Sequence, residues 1–131
     1  MKKVISSSLA PKAIGPYSQA ILFDSNYTVE LSGQIGVNPK IGKLVSGGIE
    51  EETKQIFENI KNVLNEVGWT FENIVKVRVF LANMSDYGIV NEIYAKYFTK
   101  DFPARVALAV CDLPIGALIE IECTATGQEI K

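Results

Sequence analysis

The sequence predicts an α+β fold of two layers, in which two helices cover one face of a mixed β-sheet. Two segments, about residues 49–67 and 86–98, carry apolar residues at helical spacing. The remaining apolar segments are short and bounded by turn residues, which is typical of strands. Their order is β-β-α-β-α-β-β, with a short edge strand at residues 3–5. Two helices can cover only one face of a sheet this wide, so the other face is left open.

Length and composition limit the classes of protein to which this chain can belong. Its 131 residues suit one domain over residues 1–131, and 47% hydrophobic residues exclude a disordered chain. The formal net charge of −2 and the scattered lysines disfavour a nucleic-acid partner. No apolar run is long enough to cross a bilayer and no export signal follows Met1, so we expect no membrane partner and a cytoplasmic location.

The histidine and cysteine content narrows the chemistry. The chain has no histidine, which excludes Ser-His-Asp and Cys-His catalysis. Its two cysteines, Cys111 and Cys123, lack the spacing of a zinc site, and strand alternation places them on opposite faces. We therefore expect two reduced thiols and neither a disulfide nor a metal or other cofactor.

The first third of the chain offers two candidate positions for ligand binding. Gly15-Pro16 fixes a bend that presents Tyr17, although the Tyr17 ring could instead cap the core. Ser32-Gly33 ends a predicted strand, and it combines a hydroxyl with a residue that lets a ligand approach closely because it has no Cβ. The alternative for Ser32-Gly33 is a strand end with a bulge.

The connections around these positions are predicted from turn residues. Strands at residues 20–23 and 27–32 are expected to form a hairpin through Asp24-Ser25-Asn26. The stretch from Val37 to Leu44 contains proline and glycine and is predicted to be a loop.

The two predicted helices differ in what they contribute. The first begins with Glu50, Glu51 and Glu52, where the helix dipole favours negative charge, and we interpret these glutamates as a solvated face. Gly68 is its expected stop. The second helix carries Asn91, a surface polar residue unless its side of the helix faces a cleft.

Residues 102–123 predict two strands joined by a tight connection that contains Leu113-Pro114. If these strands form a hairpin, Glu120 lies opposite Ala109 and Arg105 lies opposite Thr124. Arg105 and Glu120 are then roughly 13 Å apart along the strands. A small ligand that touches both would need a bulge, a chain of waters or an adjacent subunit, and the sequence does not choose among these.

The uncovered face of the sheet is predicted to be mixed in character. It combines five charged side chains with a phenylalanine and two alanines, which suits neither a solvated face nor an internal one. A face of this kind is expected to be buried between subunits, so we predict a homo-oligomer. The residues assigned to it are Lys76, Arg78, Phe80, Arg105, Ala107, Ala109, Glu120 and Glu122.

Four motifs occur in the order found in a known family. They are Gly15-Pro16-Tyr17-Ser18-Gln19-Ala20, Ser32-Gly33-Gln34-Ile35, Phe102-Pro103-Ala104-Arg105, and Leu113-Pro114 followed by Ile119-Glu120-Ile121-Glu122. Over nearly its whole length the chain resembles the Rid, or YjgF-like, family of enamine/imine deaminases. The four motifs together are a specific signal, although none of them is specific alone.

The resemblance implies a chorismate-mutase-like fold and a homotrimer whose sheets form a central barrel, with sites in the clefts between subunits. It implies hydrolysis of small carboxylate substrates, the 2-enamino and 2-imino acids such as 2-aminoacrylate and 2-iminobutanoate, to 2-oxo acids and ammonia. It assigns catalysis to Arg105 and Glu120 without a cofactor. It assigns substrate binding to Tyr17, Ser32, Gly33, Asn91, Arg105 and Ala107.

Three places depart from the family pattern, and one of them is Cys111-Asp112, where a small residue followed by a basic one is usual. Arg105 is followed by Val106-Ala107, where many members have Ser-Cys, and this removes a thiol from the expected site. Gly36 stands where a proline is usual, and we expect it to loosen that loop.

The sequence leaves three functions open. They are an enamine/imine deaminase, a non-catalytic binding protein for small carboxylates or 2-oxo acids, and an RNA-cleaving inhibitor of translation. The absence of histidine and of a basic patch disfavours the third. The alternatives for the key residues are a structural interface charge for Arg105 and, for Glu120, an ion pair across the subunit interface with Lys76 or Arg78.

Overall fold

The structure, a computed structural model, describes residues 1–131. Three single turns of 3₁₀ helix, at Phe71–Asn73, Met84–Asp86 and Pro114–Gly116, join the main elements. Neither α-helix combines the length and apolarity that crossing a membrane requires. The main elements are β1 (Lys2–Ile5), β2 (Ala20–Phe23), β3 (Tyr27–Ile35), β4 (Val37–Asn38), β5 (Lys43–Leu44), α1 (Gly48–Asn65), β6 (Ile74–Leu81), α2 (Tyr87–Tyr97), β7 (Ala104–Ala109) and β8 (Ile119–Gly127).

The main sheet has four strands in the order β3-β8-β6-β7. Strand β6 runs parallel to β7 and antiparallel to β8, and β8 also pairs antiparallel with β3. Residues of both helices join residues of the sheet in one buried core, which includes Phe57, Ile60, Tyr94, Val77 and Ile121. The predicted two-layer α+β class, with a mixed sheet and two helices on one face, is therefore confirmed.

Strand β6 shows how the two faces of the sheet differ. Val77 and Val79 are buried in the core, whereas Arg78 and Phe80 alternate with them and are half-buried on the open face. A residue paired with Val77 or Val79 therefore faces the helices, and a residue paired with Arg78 or Phe80 lies on the open face.

The predicted hairpin of the last two strands is wrong. Strands β7 and β8 do not pair; β6 lies between them, so the chain passes across the end of β6 after leaving β7. The connection contains a 3₁₀ turn at Pro114–Gly116, and it spans nine residues rather than a two-residue hairpin turn. A connection of this length permits β8, which is buried over most of its length, to take the central place in the sheet.

The N-terminal strands also pair differently from the prediction. Strand β2 pairs with β1, which confirms the edge strand near residues 3–5, but it does not pair with β3. Residues 24–26 therefore connect two sheets and are not a hairpin turn. The predicted loop from Val37 to Leu44 contains a short hairpin, β4–β5. Its strands have two residues each, which is too short for an alternating pattern to appear in the sequence.

The start of α1 is packed more tightly than the sequence indicated. Gly36 is buried, and a Cβ built on it would lie 2.8 Å from the Cα of Glu52, so this glycine tightens the contact with the helix. Glu52 itself is buried, at 3% exposure, and its carboxylate accepts a 2.9 Å hydrogen bond from the backbone N–H of Leu118. The predictions of a loose loop at Gly36 and a solvated Glu52 are therefore wrong.

Candidate active site

Arg105 lies on β7, at the edge of the main sheet. The parallel register with β6 sets Arg105 beside Val77 and Ala107 beside Val79. Arg105 and Ala107 therefore face the helices and not the open face that the sequence predicted for them. The prediction failed because it treated the more apolar side of this strand as the packing face.

The more apolar side of β7 is in fact the exposed one. Val106 and Leu108 lie on the open face, beside Arg78 and Phe80, and they are 38% and 39% exposed. Ala107 is half-buried against the core. A strand at the edge of a sheet that exposes branched apolar side chains is a surface suited to association with another chain.

Helix α2 fixes the guanidinium of Arg105 through two hydrogen bonds. The Nη1 of Arg105 donates to Oδ1 of Asn91 at 2.7 Å, and the Nη2 of Arg105 donates to the hydroxyl oxygen of Tyr87 at 2.9 Å. Asn91 therefore lies on the side of the helix that faces Arg105, and it is not an ordinary surface residue. The five N–H groups of a guanidinium leave further donors free for a ligand.

Three tyrosine rings surround the same guanidinium. Its Cζ lies 4.9 Å from the ring centroid of Tyr94 and 5.5 Å from those of Tyr87 and Tyr17. Rings at these distances stabilise a cation through their quadrupoles. The sequence missed Tyr87 and Tyr94, yet Tyr87, Asn91 and Tyr94 are spaced i, i+4 and i+7, which places them on one side of a helix.

The loop before β2 brings Tyr17 to this position. Ser18 forms an isolated bridge with Ala104, and its N–H donates to the carbonyl oxygen of Pro103 at 3.1 Å. The backbone N–H of Tyr17 donates to the carbonyl oxygen of Gly15 at 2.8 Å, which closes a tight turn. The ring of Tyr17 is thus presented by a tight turn, as the sequence predicted, and the structure adds that this loop is tied to β7.

Tyr94 has a second unusual feature besides its contact with Arg105. Its side chain is fully buried and its hydroxyl has no hydrogen-bond partner. Burial raises the pKa of the Tyr94 phenol, so this hydroxyl stays neutral. Tyr94 stacks on Phe98 at 4.4 Å between ring centroids, which continues the aromatic core up to the guanidinium.

Glu120 lies on the open face, on the central strand β8. It pairs with Ile35 on one side and with Phe80 on the other. The register of β3 shifts between Leu31 and Gln34, and Gly33 in this bulge approaches the Glu120 side chain. A Cβ built on Gly33 would lie 2.8 Å from the carboxylate carbon of Glu120, so the absence of a side chain here makes room for the carboxylate.

Within its own chain, Glu120 forms no ion pair. Arg78 pairs with Glu122 instead, with 3.6 Å between Nε and the carboxylate oxygen. Ser32, the other residue of the bulge, is exposed. Gly33 also contributes to a groove of about 390 Å³ along α1, which is further lined by Gln34, Ile35, Val37, Pro39, Asn59, Asn62 and Val63.

The predicted site residues therefore form two groups within one chain. Tyr17, Asn91 and Arg105 meet on the helix side of the sheet, and Gly33 and Glu120 meet on the open side, with Ser32 next to Gly33 in the bulge. Ala107 belongs to the first side but contacts the core. The two cysteines are free as predicted; Cys111 is exposed, and burial raises the pKa of the Cys123 thiol to about 12.

Fold and site together define the class of protein. It is a two-layer α+β domain with an open sheet face, and at the edge of the sheet three tyrosine rings surround Arg105. The family described as "Endoribonuclease L-PSP" matches residues 7–127. A crystal structure of a protein described as a member of the conserved Rid protein family, from Yersinia pestis, is 48% identical with a TM-score of 0.75. The match covers 96% of this chain and 99% of that one.

Two curated relatives agree with this assignment. A human protein named 2-iminobutanoate/2-iminopropanoate deaminase is 51% identical over 125 residues, which are 95% of this chain and 90% of that protein. The mouse protein of the same name is 50% identical over an alignment of 132 positions, which covers 100% of this chain and 96% of that protein. This chain belongs to the L-PSP, or Rid, family, and the resemblance seen in the four motifs is confirmed.

Proposed function

We propose that this protein hydrolyses short 2-imino and 2-enamino acids to 2-oxo acids and ammonia. The names of the human and mouse relatives state deaminase activity on 2-iminobutanoate and 2-iminopropanoate, in agreement with the prediction from sequence. The observation that carries the proposal is the guanidinium of Arg105, which Asn91 and Tyr87 hold in a fixed position among three aromatic rings. A fixed guanidinium binds a carboxylate through two parallel hydrogen bonds.

The reaction needs a bound carboxylate, a water molecule and a group that transfers protons. Arg105 holds the carboxylate of the imino acid, and Glu120 takes a proton from the attacking water. As the water oxygen bonds to C2, the C2=N double bond becomes a single bond and Glu120 gives the first water proton to the nitrogen. Glu120 then takes the proton of the new C2 hydroxyl and passes it to the same nitrogen, so that the C2–N bond breaks, ammonia leaves and the C2–O bond becomes the carbonyl of the 2-oxo acid. Positioning and general acid–base help of roughly 10²–10⁴-fold suffice for substrates that already hydrolyse in water.

The reacting groups come together only between chains in this proposal. Arg105 and Glu120 lie on opposite faces of one sheet, so the Arg105 edge of one protomer meets the open face of the next. The exposed Val106 and Leu108 on that edge support such packing. The assembly that we propose is the homotrimer implied by the family resemblance, in which each of the three clefts combines Tyr17, Asn91 and Arg105 of one chain with Ser32, Gly33 and Glu120 of another.

RNA cleavage is the second candidate function, because the family description names an endoribonuclease. The composition disfavours it, since the chain has no histidine and a net charge of −2. Binding of 2-oxo acids without turnover is the third candidate. The deaminase is preferred because its substrate needs a carboxylate-binding arginine and a proton-transferring carboxylate.

The decisive experiment generates 2-iminobutanoate in solution and follows its conversion to 2-oxobutanoate. The wild-type protein is expected to accelerate the decay, and Arg105→Ala is expected to lose the acceleration, by about 10²-fold or more, because the substrate carboxylate loses its partner. The matched control is Lys61→Ala, which removes one positive charge from the exposed side of α1 and should leave the rate unchanged.

The outcomes separate the three candidate functions. An unchanged decay with wild-type protein, together with saturable binding of 2-oxobutanoate, would replace the deaminase by the binding protein. RNA cleavage that persists through purification and disappears with a point substitution would support the nuclease. Equal rates for Arg105→Ala and wild type would remove Arg105 from the mechanism.

A further inference from the structure

We propose that Tyr87 is a positioning residue that sets the orientation of the Arg105 guanidinium for its ligand, and that its ring contributes more than its hydroxyl. The inference rests on the proposed function for its ligand, a small carboxylate, but its structural part can be measured without turnover.

Tyr87 contacts Arg105 in two independent ways. Its hydroxyl accepts a hydrogen bond from Nη2 at 2.9 Å, and its ring centroid lies 5.5 Å from Cζ. Asn91 holds the other terminal nitrogen, Nη1. The Asn91 hydrogen bond and the Tyr87 ring restrain the guanidinium from residues one turn apart on α2, and the Tyr87 hydrogen bond adds to this restraint, so the guanidinium plane cannot rotate freely about the Nε–Cζ bond.

The three tyrosines that surround Arg105 do not contribute equally to holding its guanidinium. Tyr94 is fully buried and offers only its ring, because its hydroxyl has no partner. Tyr17 belongs to a loop and also offers only its ring to Arg105. Tyr87 alone adds a hydrogen bond to its ring contact, and it is half-buried, so it can be replaced without emptying the core.

The half-buried position also explains why the ring should outweigh the hydroxyl. Water can replace a lost hydroxyl at a partly exposed site, so the cost of removing it is small. Water cannot take the place of a ring that packs beside the cation, and so cannot keep the guanidinium away from other rotamers.

Two variants and one control test this inference. Tyr87→Phe keeps the ring and removes the hydroxyl, and Tyr87→Leu removes both. Tyr97→Leu is the matched control, because Tyr97 lies on the same helix and is half-buried, but it stacks on Phe57 at 4.4 Å and not on Arg105. Loss of helix stability alone would affect the control and Tyr87→Leu alike.

The binding measurement uses 2-oxobutanoate, the expected product, titrated against each protein. Tyr87→Leu should weaken binding and raise KM roughly tenfold or more, while kcat changes less, and Tyr87→Phe should stay within about threefold of wild type. Tyr97→Leu should lower the melting temperature without changing the affinity. Equal affinities for wild type and Tyr87→Leu, or a Tyr87→Phe as weak as Tyr87→Leu, would overturn the inference, as would a wild-type protein that does not bind 2-oxobutanoate.

A nuclear magnetic resonance measurement of the Arg105 side chain is independent of any ligand. The wild type should show separate signals for the two Nη groups, and Tyr87→Leu should show averaged signals because the guanidinium rotates. Averaged signals in the wild type would refute the positioning role even if the deaminase activity is found. A wild type that binds 2-oxobutanoate and shows separate signals, but has no turnover, would refute the deaminase and leave the positioning role intact.

Discussion

The two faces of the main sheet treat their charged residues in opposite ways. On the helix-covered face, the guanidinium of Arg105 is held by two hydrogen bonds and three rings before any ligand arrives. On the open face, Glu120 has space beside Gly33 and no ion-pair partner. The comparison teaches that the proposed carboxylate-binding group is held in place within one chain, whereas Glu120, the proposed proton-transferring group, has no charged partner within that chain.

Two glycines near the end of β3 make this contrast testable with the same substitution. Gly33 faces the Glu120 carboxylate on the open face, and Gly36 packs against the backbone of Glu52 on the covered face. Neither has a positive φ, so the backbone tolerates alanine at both positions and only the surroundings differ.

Gly33→Ala is expected to have the largest effect of these variants, and the quantity that changes is kcat. The new methyl group would displace the flexible end of Glu120, and a misplaced catalytic carboxylate can lower kcat by about 10²-fold. The melting temperature should change little, because the carboxylate end can move away. A variant with wild-type kcat in the 2-iminobutanoate assay would argue against a role for Glu120 in proton transfer.

Gly36→Ala is expected to act on stability instead. Its Cβ would press on the Cα of Glu52 at 2.8 Å, and backbone cannot move aside as a side-chain end can. Overpacking of this kind destabilises a fold by about 1–3 kcal/mol, which chemical denaturation would measure. A variant as stable as wild type would show that α1 has freedom to shift at this point.

Tyr94→Phe is expected to stabilise the protein modestly. It removes a buried hydroxyl that has no hydrogen-bond partner and keeps the ring beneath Arg105. The gain should be about 1 kcal/mol, which corresponds to a rise of a few degrees in melting temperature, with unchanged affinity for 2-oxobutanoate. A loss of stability would reveal a water or side-chain partner for the hydroxyl in solution.

Glu52→Gln is expected to give the smallest effect, and one that depends on pH. Burial raises the pKa of the Glu52 carboxyl above its ordinary value of 4.5, so the folded protein binds the proton more tightly than the unfolded chain does. The stabilisation from this group is therefore present below about pH 4.5 and is lost as the pH rises through the folded-state pKa.

Glutamine resembles the protonated carboxyl and its oxygen can still accept the hydrogen bond from Leu118. Glu52→Gln should therefore unfold at a higher temperature than wild type at pH 7, and the difference should vanish near pH 4. Glu58→Gln, at an exposed position on the same helix, is the control and should show no such difference. A difference that does not depend on pH would mean that ionisation of Glu52 is not its cause.

Several residues of the candidate site could be predicted from the sequence because ordered motifs carry them. Tyr17, Asn91, Arg105 and Glu120 were all placed correctly in loops, helix or strands. Tyr87 and Tyr94 could have been found from their helical spacing to Asn91, but aromatic residues at such spacing more often fill a core.

Side-chain direction on β7 was the main error, and it has a physical cause. The periodicity of a strand divides its residues into two sets but does not say which set is buried. Val106 and Leu108 looked like the packing set because they are apolar, whereas an interface between chains exposes the same residue types. The parallel register with β6 decided the matter, since it sets Arg105 beside Val77.

Local chemistry in the sequence alone determined the two helices, strand β6 with its alternation, and the family. These features depend on spacing, turn residues and short motifs, which neighbours along the chain encode. The tertiary structure alone decided that β6 separates β7 from β8, and that Arg105 and Glu120 lie on opposite faces. Strand order is a choice among long-range pairings of similar local energy, so only the packing of the whole core selects it.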